Sequence, residues 1–434
     1  SLYPKACSAN SIAFLNKTSA SCALLSICLN AIYAKFQNEE KELVGKQRQI
    51  KEPYINEQKN KETELFGRYI TLQNIESILG NHFAKNEIKV IGKSVQGKSI
   101  YSYRVGTGNF KVLLWSQMHG NESTTTKALF DLFNFLDTDD EVAKRWKAKF
   151  SFFFIPMLNP DGAELYTREN ANQIDLNRDF INLSQPESQL LMNVFNDFKP
   201  DFCFNLHDQR TVFGAGQTKN PATVSFLAPS YNEEREINAV RLKAINLIAG
   251  INEELQRFIP NQVGRFDDGF NRNCVGDTFQ QLGVPTVLFE AGHFQNDYNR
   301  EETRKFIFIS LLSGFQRLYE NDIVNNKIDD YLKIPQNNVC FFDIVYRNVK
   351  INYDNSKLIT NFAAQFREEI IENQLVFKAY ISSVGDLEGF YGHTEYDAQQ
   401  ESFQDDEGNF PKINEKADFM LGNSKIFVNG LLKK

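Results

Sequence analysis

The sequence predicts an α/β fold: a mixed, mostly parallel sheet flanked by helices, with a small β-rich accessory domain after it. Three observations predict this. Between Phe66 and Tyr319, apolar runs alternate with helical periodicities, the pattern of strands joined by crossover helices. Those runs are apolar at nearly every position, as in strands buried on both faces. After about Ile328 the helical periods give way to short strand-like runs between loops rich in Asp, Gln and Glu.

Taken in order, residues 1–65 read as an N-terminal extension. It holds a mildly apolar stretch, Ala23–Phe36, broken by Asn30 and Lys35, and then a dense mixed-charge run over 37–64 expected to be a solvated linker or exposed helix. A catalytic domain is expected over 66–328. It should open with a helix from Leu72 to Phe83 and strands Ile88–Ile91 and Ser99–Val105. A strand Val112–Trp115 leads into a helix Ser123–Leu136, whose Ala128, Leu129, Leu132, Phe133 and Leu136 share one face. Strands follow at Phe150–Pro156, Phe202–Leu206, Thr223–Ala228 and Thr286–Phe289. Helices follow at Glu187–Phe198, Glu233–Phe258 and Glu301–Tyr319. Strands at Val339–Val345, Leu375–Ile381 and Lys425–Val428 and a charged loop at Gln399–Gly408 fill the accessory domain, 335–434.

Composition narrows the function. The 434 residues are 42% hydrophobic and 24% charged, an ordinary globular balance, and the net charge of −7 argues against a partner held by phosphate contacts. None of the six cysteines forms a Cys-x-x-Cys pair, which argues against structural zinc on thiolates and against a disulfide framework. No run of eighteen apolar residues suggests a membrane span, and for want of a clear leader the expected compartment is the cytoplasm. With five histidines in the chain, a site needing two of them has few choices.

Four motifs each follow an apolar run. His119-Gly-Asn-Glu122 follows Val112–Trp115, and Asn159-Pro-Asp-Gly162 follows Phe152–Leu158. His207 follows Phe202–Leu206, and Glu290 follows Val287–Phe289. Ligands of open α/β sheets bind outside the carboxyl ends of strands, so the four are expected to converge on one cleft. His119, Glu122 and His207 make two His and one Glu, a set that holds one zinc ion in hydrolytic sites and leaves a position open. A capping Glu beside a satisfied His is the alternative for the first pair. Glu290, at the end of an apolar strand, is the candidate proton acceptor for water on that zinc; the alternative is a buried Glu paired with an Arg. In Ile174–Phe180, Arg178 can clamp a carboxylate with two bonds, Asn177 can add hydrogen bonds, and Asp175 suits the orientation of a metal-bound His.

These motifs, in this order and spacing over about Phe66 to Tyr319, resemble the zinc metallocarboxypeptidases of the carboxypeptidase A type. The resemblance implies His119, Glu122 and His207 as zinc ligands and Glu290 as general base. It implies Asn177 and Arg178 as the grip on the substrate's terminal carboxylate, and Arg168 as the arginine that stabilises the oxyanion. Two departures stand out. Phe266–Leu288 contains no tyrosine to cap the substrate, and His207-Asp-Gln-Arg210 differs from the usual continuation. Asp277 is a candidate for lining the specificity pocket, and His293 for a supporting role. The expected activity is hydrolysis of C-terminal peptide bonds. A zinc amidase acting on N-acyl amino acids, or on cell-wall or isopeptide-linked peptides, is the alternative; a zinc-holding module without turnover is the third reading.

Overall fold

The computed structural model describes residues 57–83, 87–353, 356–406, 408 and 410–433. The apolar stretch Ala23–Phe36, the charged run up to residue 56, and Cys7, Cys22 and Cys28 lie outside the described residues. From Lys59 onward the described chain forms one compact unit. Among the described residues, no helix is long and apolar enough to cross a membrane.

The chain runs α1 (Leu72–His82), β1 (Ile88–Lys93), β2 (Ser99–Val105), β3 (Phe110–Ser116), α2 (Thr124–Leu136), α3 (Glu141–Lys149), β4 (Phe150–Ile155) and α4 (Pro160–Leu165). It continues through α5 (Pro186–Phe198), β5 (Phe202–Asp208), β6 (Phe213–Ala215), β7 (Val224–Leu227), α6 (Ala239–Leu255), β8 (Val263–Arg265), α7 (Val275–Gln281), β9 (Thr286–Ala291), α8 (Glu301–Tyr319) and α9 (Ile328–Leu332).

Eight strands make the main sheet, in the order β1-β2-β4-β3-β5-β9-β7-β8. The four central strands β4, β3, β5 and β9 are parallel, while β1, β2 and β7 meet their inner neighbours antiparallel. The sheet is thus mixed with a parallel centre. Its β5 is buried at every position, as a strand covered on both faces must be. On one face, Trp115, Leu113 and Cys203 pack against Leu191 and Phe195 of α5 and Phe279 of α7. On the other, Phe315 of α8 meets Phe150, Phe152 and Phe204, and α8 lies between α2 and α6.

Helix α6 is shorter than its apolar pattern, which extends from Glu233. Asn238 sets its start by accepting hydrogen bonds from the backbone N–H of Val240 and Arg241 at 3.1 and 2.8 Å, the role of an N-cap.

The C-terminal part is all strand: β10 (Asn337–Val339), β11 (Phe341–Tyr353), β12 (Ser356–Ile371), β13 (Gln374–Gly385), β14 (Tyr391–Asp397), β15 (Phe403–Gln404), β16 (Phe419–Leu421), β17 (Lys425–Val428) and β18 (Leu431–Leu432). Two four-stranded sheets result, β13-β12-β11-β14 and β15-β16-β17-β18. Tyr346, Phe362, Phe403, Phe419 and Phe427 fill the core between them. Val339 belongs to β10, which pairs with β6, so the strand expected from Val339 starts at Phe341 and runs on to Tyr353. The sixteen-residue β12 is not expected from its sequence. Glu368 of this strand accepts hydrogen bonds from Arg68 at 2.5 Å and Tyr166 at 2.7 Å, fastening the sheet beside the loops at the strand ends.

Candidate active site

Three adjacent parallel strands carry the site. His119 lies three residues beyond the end of β3, His207 is the next-to-last residue of β5, and Glu290 lies near the end of β9. The β5–β9 register sets His207 directly opposite Glu290. The loop from β3 to α2 is held from below. Gln117, at a φ of 49°, donates from its amide to the carbonyls of Ile70 and Gly120, both at 2.9 Å. Gly120 must be glycine, because a Cβ there would lie 1.9 Å from the carbonyl carbon of Gly162.

His119 Nδ1 lies 2.8 Å from Glu122 Oε1, and His207 Nδ1 lies 2.7 Å from Glu122 Oε2. The two Nδ1 atoms are 3.1 Å apart. Burial alone would raise the Glu122 pKa, but the two imidazoles outweigh it and hold the carboxyl well below the usual range. Burial lowers His207, whereas Glu122 and Asp175 raise His119 against the same penalty. His119 Nε2 lies 2.9 Å from Asp175 Oδ1. A proton on Nε2 donated to that carboxylate leaves Nδ1 with its lone pair turned to the cluster. Asp175 resists burial through its bonds to His119 and the charge of Arg168, so its pKa falls.

Among the described residues, these three form the one group of His, Cys, Asp and Glu ligands close enough to share a metal ion; their ligand atoms lie within 4.8 Å of one another. The donor set fits a cation of the zinc type: two imidazole nitrogens and an ionised carboxylate. Its demand for positive charge is visible in Arg168, whose Nη1 lies 3.1 Å from both His119 Nδ1 and Glu122 Oε1.

A cavity of about 410 Å³ opens over the cluster. Arg168, Asn177, Arg178, Asp277 and Glu290 line it with the three ligands. Glu290 is pushed well above the usual carboxylate range by burial and by the charges of Glu122 and Asp208. It has no arginine within ion-pair distance among the described residues, since the buried Arg300 bonds to the carbonyls of Ala291 and Gln209 instead. Asn177 accepts from the Val275 N–H at 3.2 Å, which leaves its amide NH2 for a ligand. Arg178 is exposed and donates to the Asn177 carbonyl at 2.9 Å. Burial raises Asp277 to about 7.

Two stretches stand elsewhere. Asn159-Pro-Asp-Gly162 does not line the cavity. Asn159 caps α4 by accepting from the Gly162 N–H at 2.9 Å and steadies the His119 loop through the Met118 carbonyl at 3.2 Å. His293 is buried between Tyr298 and His393, away from the cavity. No tyrosine lines the cavity; the loop at Phe266, Asp267 and Gly269 occupies its rim. Sequence reasoning missed Asp208, whose carboxylate accepts from the Thr124 N–H and hydroxyl at 3.0 and 2.6 Å, pinning the start of α2 beside the cluster. Its place next to His207 was the available signal.

Comparisons with known proteins bear on this geometry. The model of the family described as zinc carboxypeptidase matches residues 75–247. Carboxypeptidase SOL1 of Arabidopsis thaliana is 27% identical over 184 residues, 36% of this chain and 37% of that protein. Carboxypeptidase M of Mus musculus is 27% identical over 162 residues, 31% of this chain and 36% of that protein. The chain thus spans little more than a third of the length of these relatives. Among solved structures, a metallo-carboxypeptidase from Burkholderia cenocepacia aligns with a TM-score of 0.46 at 17% identity, covering 58% of this chain and 69% of that one. The segment that resembles the zinc carboxypeptidase family, residues 75–247, contains His119, Glu122 and His207.

Proposed function

We propose that the protein is a zinc-dependent carboxypeptidase with one zinc ion held by His119, Glu122 and His207. The observation that carries this reading is a single cavity lined by the ligand cluster, Glu290, Asn177 and Arg178 together. Zinc there would supply Lewis acidity, acidifying water and polarising a carbonyl. The chain's own residues do the rest. Arg178 pairs with the free carboxylate of a peptide through two parallel bonds, and the Asn177 amide adds a third. Those contacts hold the last peptide bond over the cluster. Glu290 takes a proton from the attacking water and returns it to the leaving amine. Arg168 turns from Glu122 to the scissile oxygen as negative charge develops there.

The test compares a free-acid peptide with its C-terminal amide. Amidation removes the charge that Arg178 recognises; a charge-assisted pair is worth about 2–3 kcal/mol, so kcat/KM should fall about 100-fold. Arg178→Ala should shrink the gap by losing activity on the acid. Equal rates on acid and amide with the native protein would sink the exopeptidase reading and favour an amidase.

A further inference from the structure

A second cavity of about 280 Å³ adjoins the first. The two share Glu122, Arg168, Asp208, Gln209 and Arg210. Asn177, Arg178 and Asp277 line only the first, so the second runs from the ligand cluster away from the carboxylate grip. Its other lining residues are Arg68, Asn121 and Thr211, with Gln365, Phe366 and Glu368 of β12. β12 lies outside the segment matched by the family.

The polar groups of this cavity are unevenly used. Arg68 is tied to Glu368, and Arg168 to Glu122 and Asp175. Asp208 is held by Thr124 and lies 3.8 Å from Arg300. Arg210 is exposed on the wall common to both cavities and enters no ion pair or hydrogen bond among the described residues. Three buried atoms of the lining residues also lack partners: Nε of Arg68, a residue 7% exposed, Oδ1 of Asn121 and Oδ1 of Asp208.

We propose that this second cavity receives the residue on the acyl side of the scissile bond, and that Arg210 selects a side-chain carboxylate there. This rests on the carboxypeptidase reading and extends it to a substrate class: peptides with an acidic penultimate residue. A peptide whose terminal carboxylate meets Arg178 has its preceding residue directed past the cluster, where the second cavity begins. Glu368, Glu122 and Asp208 lie beside Arg68, Arg168 and Arg300 respectively, and so do not cancel Arg210. The departure at His207-Asp-Gln-Arg210 thereby acquires a role.

The test uses three pools of N-acetyl-Ala-Xaa-Zaa free acids, with Xaa fixed as Glu, Gln or Lys and Zaa varied over all residues. Release of N-acetyl-Ala-Xaa is followed by mass spectrometry, and binding of the same pools to the zinc-loaded Glu290→Gln protein is measured in parallel. The native protein should favour Glu over Gln roughly tenfold, the ratio expected for one charge-assisted bond, with Lys last. Arg210→Gln should bring Glu and Gln level, and Arg210→Glu should place Lys first. Cleavage without preference for Glu, or a preference unchanged in Arg210→Gln, overturns the proposal and leaves the carboxypeptidase reading standing. Failure to cleave any pool removes that reading; the binding order then supports the cavity assignment or, if flat, overturns it as well.

Discussion

At the scale of single residues, Glu290 and His207 stand side by side in the sheet, and the carboxypeptidase reading gives them different tasks. Glu290 has no ligand role in the cluster, so Glu290→Gln should retain stoichiometric zinc on metal analysis while kcat falls about 100-fold or more. His207→Ala should lose the metal instead. Near-normal turnover in the first variant, or full zinc content in the second, would reassign these roles. The placements of His119, Glu122, His207 and Glu290 were legible because each directly follows an apolar run, and a strand's end is fixed by where burial stops. Arg68, Asn121, Gln365 and Glu368 were not legible as a group. They come from segments up to 300 residues apart, and nothing local in their sequence marks them as neighbours.

At the scale of elements, the loop between β3 and α2 depends on α4 beneath it. Gly120→Ala would push a methyl group into the Gly162 backbone, whose position Asn159 fixes. The loop must move to accept it. Overpacking of this kind costs about 1–3 kcal/mol, and here the displaced loop carries His119 and Glu122, two of the proposed metal ligands. The expected outcome is a lowered midpoint in chemical denaturation together with weakened zinc retention; unchanged retention would show that the loop adapts without moving His119. Most buried elements were legible from their apolar runs. β12 was not, because Asn361, Gln365, Arg367, Glu368 and Glu369 interrupt its apolar residues and only Ala363, Ala364 and Phe362 are buried. A strand with one face against a small core and the other turned to polar partners reads as a loop. The C-terminal ladder, which binds it on both edges, supplies what propensity does not.

At the scale of the whole molecule, the main sheet and the C-terminal sheets meet around two imidazoles, one buried and one partly buried. His293, in the loop after β9, lies 4.0 Å between ring centres from His393 of β14. Burial lowers both; His393 falls to about 4, with Arg300 adding to the effect and the Thr211 carbonyl opposing it. Both are therefore neutral in the folded protein near neutrality and recover the ordinary value on unfolding. The unfolded chain binds more protons as pH drops below about 6.5, so their contribution to stability is intact above that point and is lost below it, for His393 down to about 4. For His393 alone the loss at pH 5 is roughly 2 kcal/mol. His393→Gln should reduce the fall in Tm between pH 7 and pH 5, measured by thermal unfolding against the native protein. An identical fall in both would place the acid sensitivity elsewhere.

The strand order has a consequence for how the protein is made. β5 lies at the centre of the sheet between β3 and β9. β3 is synthesised before it, but β9 follows about eighty residues later, an interval of roughly 4–16 s at the usual pace of translation. Throughout that interval one edge of a strand that is wholly buried in the folded protein has no partner, and the edge is competent to pair with any neighbouring nascent chain. The central strand that carries His207 is therefore also the point at which a growing polypeptide most needs a chaperone, and polysomes crowded on one message are where aggregates of this protein would begin.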